Sequence, residues 1–160
     1  IGNSYDPNNV TTPILFTVTD GSSGNDLSTV TMALFDKSDT FTPIVKGAST
    51  DGAGTYTTQT GKYTRDNDVI NFEITLAWTA HTGTGGLEID GLPYTQGSTK
   101  VSYSIVAENL TFTNQLACMS KPSTTKLALY SMASGASATA VAIDTAVTSL
   151  IISGSYKLWA

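Results

Sequence analysis

The chain has 160 residues, a formal net charge of −5 and one cysteine. This length suits one domain that buries its own core, and a lone cysteine excludes an internal disulfide framework. The chain has eight Lys and Arg against thirteen Asp and Glu, which argues against nucleic-acid binding. No apolar run approaches the length of about 18–20 residues that a helix needs to span a bilayer.

Threonine and serine dominate the composition, with 27 Thr and 17 Ser, while only 13% of residues are charged. Side chains branched at Cβ lose rotamer freedom in a helix and fit a pleated surface. Short alternating runs separated by polar turns are typical of a sandwich or barrel. The sequence therefore predicts an all-β chain.

The first forty residues contain two runs typical of strands, at 14–18 and 30–34, on either side of a polar loop. No heptad pattern marks a coiled-coil shaft. We assign residues 1–40 to an N-terminal arm of attachment strands and residues 41–160 to one β-domain. A short strand is predicted over 41–45, where Pro43 suits a sheet edge.

The strongest periodic segment is 69–78, in which every second residue is large and apolar, and it predicts a strand with one buried face. In the preceding segment, 55–65, a regular strand would place Tyr56 and Tyr63 on opposite faces. A bulge at Gly61 would restore a common face. With a turn at Asp66-Asn67-Asp68, the two segments predict a long hairpin.

Weaker alternation continues to the end of the chain. We predict strands around residues 101–107, 110–112, 116–118, 127–132 and 150–156. The segment 133–146 is rich in Ala and Ser, but Gly135 weakens a helix. It is predicted as an extended loop followed by an edge strand through Val141 and Ile143.

Catalytic and metal chemistry find little support in the residue inventory. The single histidine, His81, has no nucleophile motif beside it, and one Cys with one His cannot build a zinc site. Cys118 lies in an apolar stretch and is predicted to be buried. The cluster Asp66-Asn67-Asp68 is better explained as a hairpin turn than as a calcium site. If the chain forms a trimer, copies of one side chain around the three-fold axis remain an open possibility for an ion site. We predict no catalytic residue, metal ligand or cofactor.

Acidic residues and glycines offer no stronger signal. Glu88 and Asp90 alternate along 87–91 as solvated strand positions do, and nothing pairs them as glycosidase carboxylates. The loop around Gly83 and Gly85 lacks the helix and lysine of a phosphate-binding turn, so it is interpreted as a strand connection.

Aromatic residues are the better candidates for contacts. Trp78 fits the buried face of its strand. Trp159 is the second-last residue of the sequence. Its indole would be exposed to water unless it packs against the domain or a neighbouring subunit covers it. Trp159, Tyr156, His81 and Tyr94 are our candidates for a subunit interface or partner surface. A glycan-binding rim near His81 and Tyr94 is the alternative.

Several strings resemble a recurring module of tailed-phage virion proteins. They are Phe41-Thr42-Pro43, Gly54-Thr55-Tyr56-Thr57-Thr58-Gln59-Thr60-Gly61-Lys62-Tyr63-Thr64-Arg65, Phe72-Glu73-Ile74-Thr75-Leu76-Ala77-Trp78-Thr79-Ala80-His81-Thr82-Gly83-Thr84-Gly85, Gly91-Leu92-Pro93-Tyr94 and Ile151-Ile152-Ser153-Gly154-Ser155-Tyr156. The resemblance covers about residues 41–156. The chain departs from the family where Arg65-Asp66-Asn67-Asp68 replaces an Arg-Ile-Gly-Asn type of turn, and the first forty residues have no counterpart.

The resemblance implies a jelly-roll-like antiparallel β-sandwich that forms a homotrimer and has no catalytic centre of its own. Modules of this family sit at the C-terminal end of tail fibres and tailspikes, with relatives on other exposed virion parts. Open strand edges with few charges to protect them also favour assembly around a three-fold axis.

Three functions remain as hypotheses. The sequence favours a trimeric capsid decoration or cement protein on the virion exterior, whose arm grips the major capsid protein. The second is the distal tip of a tail fibre or tailspike that binds other tail proteins and contacts host glycans. The third is a free carbohydrate-binding module or small hydrolase. None of them uses nucleic acid or a membrane as a partner.

Overall fold

The structure is a computed structural model that describes residues 14–17, 29–32 and 37–158. Every regular element in these ranges is a β-strand, which confirms the all-β class. The strands are β1 (Ile14–Thr17), β2 (Thr29–Met32), β3 (Lys37–Phe41), β4 (Ile44–Gly47), β5 (Gly54–Asp66), β6 (Val69–His81), β7 (Leu87–Asp90), β8 (Ser102–Glu108), β9 (Gln115–Ser120), β10 (Leu127–Met132), β11 (Thr139–Ala140) and β12 (Val147–Lys157). Within the same ranges, no helix long and apolar enough to cross a membrane occurs.

Strands β1 and β2 form a separate antiparallel pair in which Ile14 lies opposite Met32. Both strands fall where alternation predicted them, whereas Val18 and Leu34 lie outside the described residues. Strand β3 crosses residue 40 and pairs with β5 in the main sheet. The division into an arm and a domain at that residue stays a prediction.

The main sheet has the strand order β3-β5-β6-β12-β8-β9-β10-β7-β4, with β11 beside β10, and every pairing is antiparallel. Strand β8 belongs to two layers, because Ser104 pairs with β12 while Tyr103 pairs with β9. The sheet thus curls into a first layer, β3-β5-β6-β12-β8, and a second layer, β8-β9-β10-β7-β4. This arrangement agrees with a β-sandwich, whereas the jelly-roll topology and the trimer stay predictions.

Pro43 stands at the other corner of the sandwich, and the single strand predicted over 41–45 is wrong. The chain leaves the first layer after Phe41 and joins the second at Ile44, with Thr42 and Pro43 between them. Proline fixes φ and donates no backbone hydrogen bond, so it suits this corner. The side-chain amide of Gln59 donates to the Pro43 carbonyl at 2.9 Å and holds the corner to β5.

The predicted hairpin is confirmed as β5 and β6, with Asn67 in the turn at a φ of 53°. The phase reset is real, but its predicted place at Gly61 is wrong. Gly61 pairs with Ile74 in regular register, and the two register shifts fall on either side of Tyr56, between Thr55 and Tyr56 and between Tyr56 and Thr58. A Cβ at residue 61 would lie 2.7 Å from the Phe41 ring, so close packing explains this glycine.

The core lies between the two layers. Strand β6 contributes residues at every second position, and Ile74, Leu76 and Trp78 are at most 1% exposed. The Trp78 indole nitrogen donates to the carbonyl of Asp144 at 3.0 Å. Cys118 is fully buried, as predicted, and burial raises the pKa of its thiol to about 12.

Two weaker predictions need correction. Residues 110–112 are not a strand, although Leu110 packs in the core. The segment 133–146 forms a loop and not a helix, but it turns at 134–136, and its edge strand is β11, which ends before Val141. Val141 is instead buried beyond that strand, where its amide donates to the Leu129 carbonyl at 3.0 Å.

Candidate interaction surface

His81 closes the end of strand β6 and is 8% exposed. The amide of Gly83 donates to its Nδ1 at 2.9 Å, so this nitrogen carries no proton. Its Nε2 lies 3.0 Å from the Val45 carbonyl and donates to it in that tautomer. Both ring nitrogens therefore bind backbone of the same chain, and the imidazole joins the first layer to β4.

Tyr156 is 3% exposed, and its hydroxyl donates to the Tyr94 carbonyl at 3.0 Å. Burial raises the pKa of Tyr156 well above its usual range. Its ring packs against Phe72 with centroids 5.8 Å apart. Tyr156 therefore anchors the loop that carries Tyr94 to the end of the first layer.

Tyr94 is half-buried. It meets Tyr63 edge to face at 5.7 Å, and the Arg65 guanidinium lies 5.1 Å from its ring centroid. A hydrogen bond with Tyr63 and the charge of Arg65 lower the pKa of Tyr94. The structure brings Tyr94 and Tyr156 together and places His81 at the opposite end of β6. Trp159 lies outside the described residues, and contact of all four with a partner stays a prediction.

A cleft of about 440 Å³ opens beside Tyr156. Its wall includes Gln96, a 3% exposed residue whose amide nitrogen donates to the Lys126 carbonyl at 2.7 Å. Tyr103 lines the same cleft, and burial raises its pKa to about 12. Gln96 is not among the candidates from the sequence, because it stands in the polar segment 95–98, where a glutamine gives no signal of burial.

The expectation that Glu88 is solvated is wrong, since the residue is 6% exposed. Its carboxylate lies 2.5 Å from Lys121 Nζ and 3.4 Å from Lys126 Nζ. These two lysines come from either side of the turn between β9 and β10, so only the fold brings them to Glu88. Nothing in the local sequence marks this pairing.

Asp90, two residues further along β7, is also held by the fold. Burial would raise its pKa, but hydrogen bonds from Thr125 and the Gly91 amide, together with Lys46 at 3.3 Å, lower it. No group of three or more His, Cys, Asp or Glu in the part of the chain that the structure describes is arranged to hold a metal ion.

Four large apolar residues of the described body are substantially exposed, namely Ile44, Val106, Phe112 and Ile151. Two of them, Val106 and Ile151, lie directly opposite each other on β8 and β12, on the outward side of the first layer. A sequence signal for this pair exists: residues 105–107 and 150–152 are apolar at both parities. One parity of each segment faces the core, and the other parity places Val106 and Ile151 outside.

Comparisons with known proteins bear on the fold. No family model matches the sequence, and no curated protein matches it. Among solved structures, the chain is similar to the crystal structure of the Dettilon tailspike protein (gp208), with 16% sequence identity and a TM-score of 0.59. The match covers 76% of this chain and 24% of that protein, so the chain corresponds in length to a segment of the tailspike. This chain shares its β-fold with that segment of a phage tailspike.

Proposed function

We propose that this chain is a non-enzymatic structural module on the outside of a tailed-phage particle and that it assembles as a homotrimer. One observation supports the proposal above others: the fold matches a tailspike segment over 76% of the chain. The residue strings noted above point to the same class of virion protein. At this identity, fold similarity does not carry function by itself, so the proposal also needs support from the site.

Three side chains of types that perform catalysis, His81, Glu88 and Asp90, hold strands and loops together here. His81 binds Val45 and Gly83 through its two ring nitrogens. Glu88 is paired with two lysines, and Asp90 accepts hydrogen bonds from Thr125 and Gly91. A general base must have a free acceptor within reach of a substrate proton. These contacts therefore favour a structural role over hydrolysis.

Of the two positions in the virion, we propose the tail over the capsid exterior. The similar solved protein is a tailspike, and this chain matches only a part of its length. A module that forms one segment of a tail protein would meet the virion through neighbouring tail proteins and would expose another part of its surface to host glycans. Decoration of the capsid, the role that the sequence favours, stays the alternative.

Immuno-electron microscopy on purified particles tests this proposal. Antibodies raised against the purified chain should label the tail of the phage that encodes it. Labelling spread over the capsid would favour decoration, and absence of the chain from purified particles would overturn both positions. Release of reducing sugar ends from host polysaccharide by the purified chain would overturn the non-enzymatic role.

A further inference from the structure

One aromatic ring of the described body stands apart from the others. Phe112 is 40% exposed, whereas every other aromatic side chain within residues 37–158 is buried or half-buried. The ring also lies outside the core cluster. Single apolar side chains are common on protein surfaces, so the surroundings of this ring decide whether it can serve as a contact.

The segment that carries the ring, residues 109–115 between β8 and the first residue of β9, is called here the Phe112 loop. The body holds this loop on both sides of the ring. Leu110 is 8% exposed and packs in the core, and the Thr111 amide donates to the Asp144 carboxylate. Beyond the ring, the Thr113 hydroxyl lies 3.2 Å from a serine hydroxyl of β10. A loop ordered in this way loses little conformational freedom when it binds a partner.

Three side-chain amides stand near the ring along the chain. They belong to Asn109, Asn114 and Gln115, and all three residues are exposed. None of the three side chains makes a hydrogen bond with another residue of 37–158. Each amide offers two donors and an acceptor oxygen, so the loop combines an apolar ring with uncommitted polar groups of both kinds.

The neighbouring loop has no large side chain that could fill the space beside the ring. Gln115 pairs with Met132, so the Phe112 loop and residues 133–138 leave the sheet side by side. Residues 133–138 are Ala, Ser and Gly alone, and all of them are exposed. A Cβ built on Gly135 would meet no atom within 4 Å. A small ligand therefore has room to approach this part of the body.

The charges close to the loop in sequence and in the sheet are both negative. Residues 108–116 and 133–146 together contain Glu108 and Asp144 and no lysine or arginine. An anionic ligand would meet two like charges here without a compensating cation. The polar groups of the loop thus favour a ligand that carries hydroxyls and no negative charge.

The Phe112 loop follows β8 at the end of the sheet where β6 finishes. Glu108, the last residue of β8, pairs with Ser149 near the start of β12, on the side at which β6 ends with His81. The connections at residues 37 and 158 lie across the body, beside the turn between β5 and β6. A module joined to a tail protein at those connections would point the Phe112 loop outward.

From the exposed ring, the uncommitted amides and the lack of cations, we propose that the Phe112 loop binds a neutral sugar residue of a host-surface glycan. A pyranose carries C–H groups on one face and hydroxyls around its rim. The C–H face packs on the Phe112 ring, while the rim hydroxyls exchange hydrogen bonds with the amides of Asn109, Asn114 and Gln115. The inference rests on the proposed function and names the surface and the ligand class for its contact with the host.

Saturation-transfer-difference NMR on the full chain tests the inference. The probes are four neutral methyl glycosides, those of glucose, galactose, mannose and rhamnose, with methyl glucuronide as the acidic comparison. Saturation should pass to the ring C–H protons of at least one neutral glycoside and more weakly to the glucuronide. Phe112→Ala should reduce the signal by about fivefold or more, as truncation of an aromatic anchor does. Ile44→Ala is the control, because Ile44 is 42% exposed on β4 and lies off the loop.

A second variant removes an amide without changing the backbone. Asn114 has a φ of 62°, a conformation that glycine adopts readily, so Asn114→Gly keeps the loop and deletes the side chain. Its signal should fall as well. Asn67→Gly is the matched control, because Asn67 has a φ of 53° in the turn at the other end of the body. Circular dichroism and the urea midpoint should show that Phe112→Ala and Asn114→Gly remain folded.

The contrary outcomes are distinct from those of the proposed function. Equal signals in the unchanged chain and in Phe112→Ala would overturn the loop as the sugar site. Absence of transfer to all four neutral glycosides would overturn it too, and a stronger signal for the glucuronide would overturn the neutral class. None of these results affects the labelling of phage tails by antibody, which tests the position in the virion separately.

Discussion

The hydroxyl of Tyr103 donates a hydrogen bond to Oε1 of Gln96 at 2.6 Å, where Gln96 is only 3% exposed. The amide nitrogen of Gln96 in turn donates to the carbonyl of Lys126. One buried amide therefore connects β8, the strand shared by both layers, to the loop that precedes β10. A buried polar group that loses its partner costs more than the hydrogen bond itself contributes.

Tyr103→Phe should lower the free energy of unfolding by about 1–2 kcal/mol, because Gln96 Oε1 is left buried without its donor. Urea denaturation measures the effect. The neighbouring exposed residue supplies the control, Ser104→Ala, which should change the midpoint little. Equal midpoints for both variants would contradict the proposed role of this contact.

Alkaline pH should unfold the protein in a window set by its buried tyrosines. Burial raises the pKa of Tyr103 to about 12, and the unfolded side chain ionises near pH 10. The unfolded state therefore loses this proton first, so the stabilisation is complete below about pH 10 and disappears as the pH rises through about 12. Tyrosinate absorbance and circular dichroism should change together in that range, and Tyr103→Phe should reduce the dependence of stability on pH.

Glu88→Ala should destabilise the second layer. The carboxylate is buried, whereas Lys121 is 40% exposed and Lys126 is 29% exposed. Water therefore partly solvates the two ammonium groups once the carboxylate is removed. We expect a loss of about 1–2 kcal/mol, below the 3–5 kcal/mol typical of a fully buried pair. Lys37→Ala breaks the exposed pair with Asp39 and should leave the melting temperature unchanged. A melting temperature that is unaffected by Glu88→Ala would refute this account.

Gly154→Ala should destabilise the protein because β12 has no room for a methyl group there. A Cβ at this position would lie 2.5 Å from Cδ1 of Tyr103, whose ring is fixed by burial and by its bond to Gln96. Overpacking of this kind costs about 1–3 kcal/mol. Ser155→Ala, on the exposed side of the same strand, is the control. Thermal unfolding of the two variants should differ accordingly.

Cys118 should resist thiol reagents in the native protein. It is fully buried, and its pKa of about 12 leaves almost no thiolate at neutral pH. Modification by Ellman's reagent should therefore follow the fraction unfolded in urea. Rapid modification of the native chain would show that β9 opens locally.

Alternation predicted which residues face the core but not which strands pair. The parity of 69–78 correctly placed Ile74 and Trp78 inside, because one buried face leaves its mark in the local sequence. The position of β12 between β6 and β8 depends on contacts between distant parts of the chain. Nothing local to residues 150–156 records those neighbours.

The candidate site was harder to predict, for related reasons. Glu88 looked solvated because strand parity puts it outside, and its burial comes from Lys121 and Lys126 across the fold. His81 and Tyr156 looked available as contact residues, yet their polar atoms bind the backbone of the same chain. Pro43 predicts a sheet edge, but its role as a corner between layers follows only from the order of the whole sheet.

The pairing of Lys37 with Arg65 and of Lys157 with Val69 sets both ends of the described body beside the turn between β5 and β6. The two ends are three strands apart, or roughly 14 Å. The loop at residues 82–86 follows the other end of β6 and therefore lies away from both of these ends. Segments joined to the body at residues 37 and 158 therefore start beside the β5–β6 turn and leave the His81 end of the sandwich uncovered by these connections.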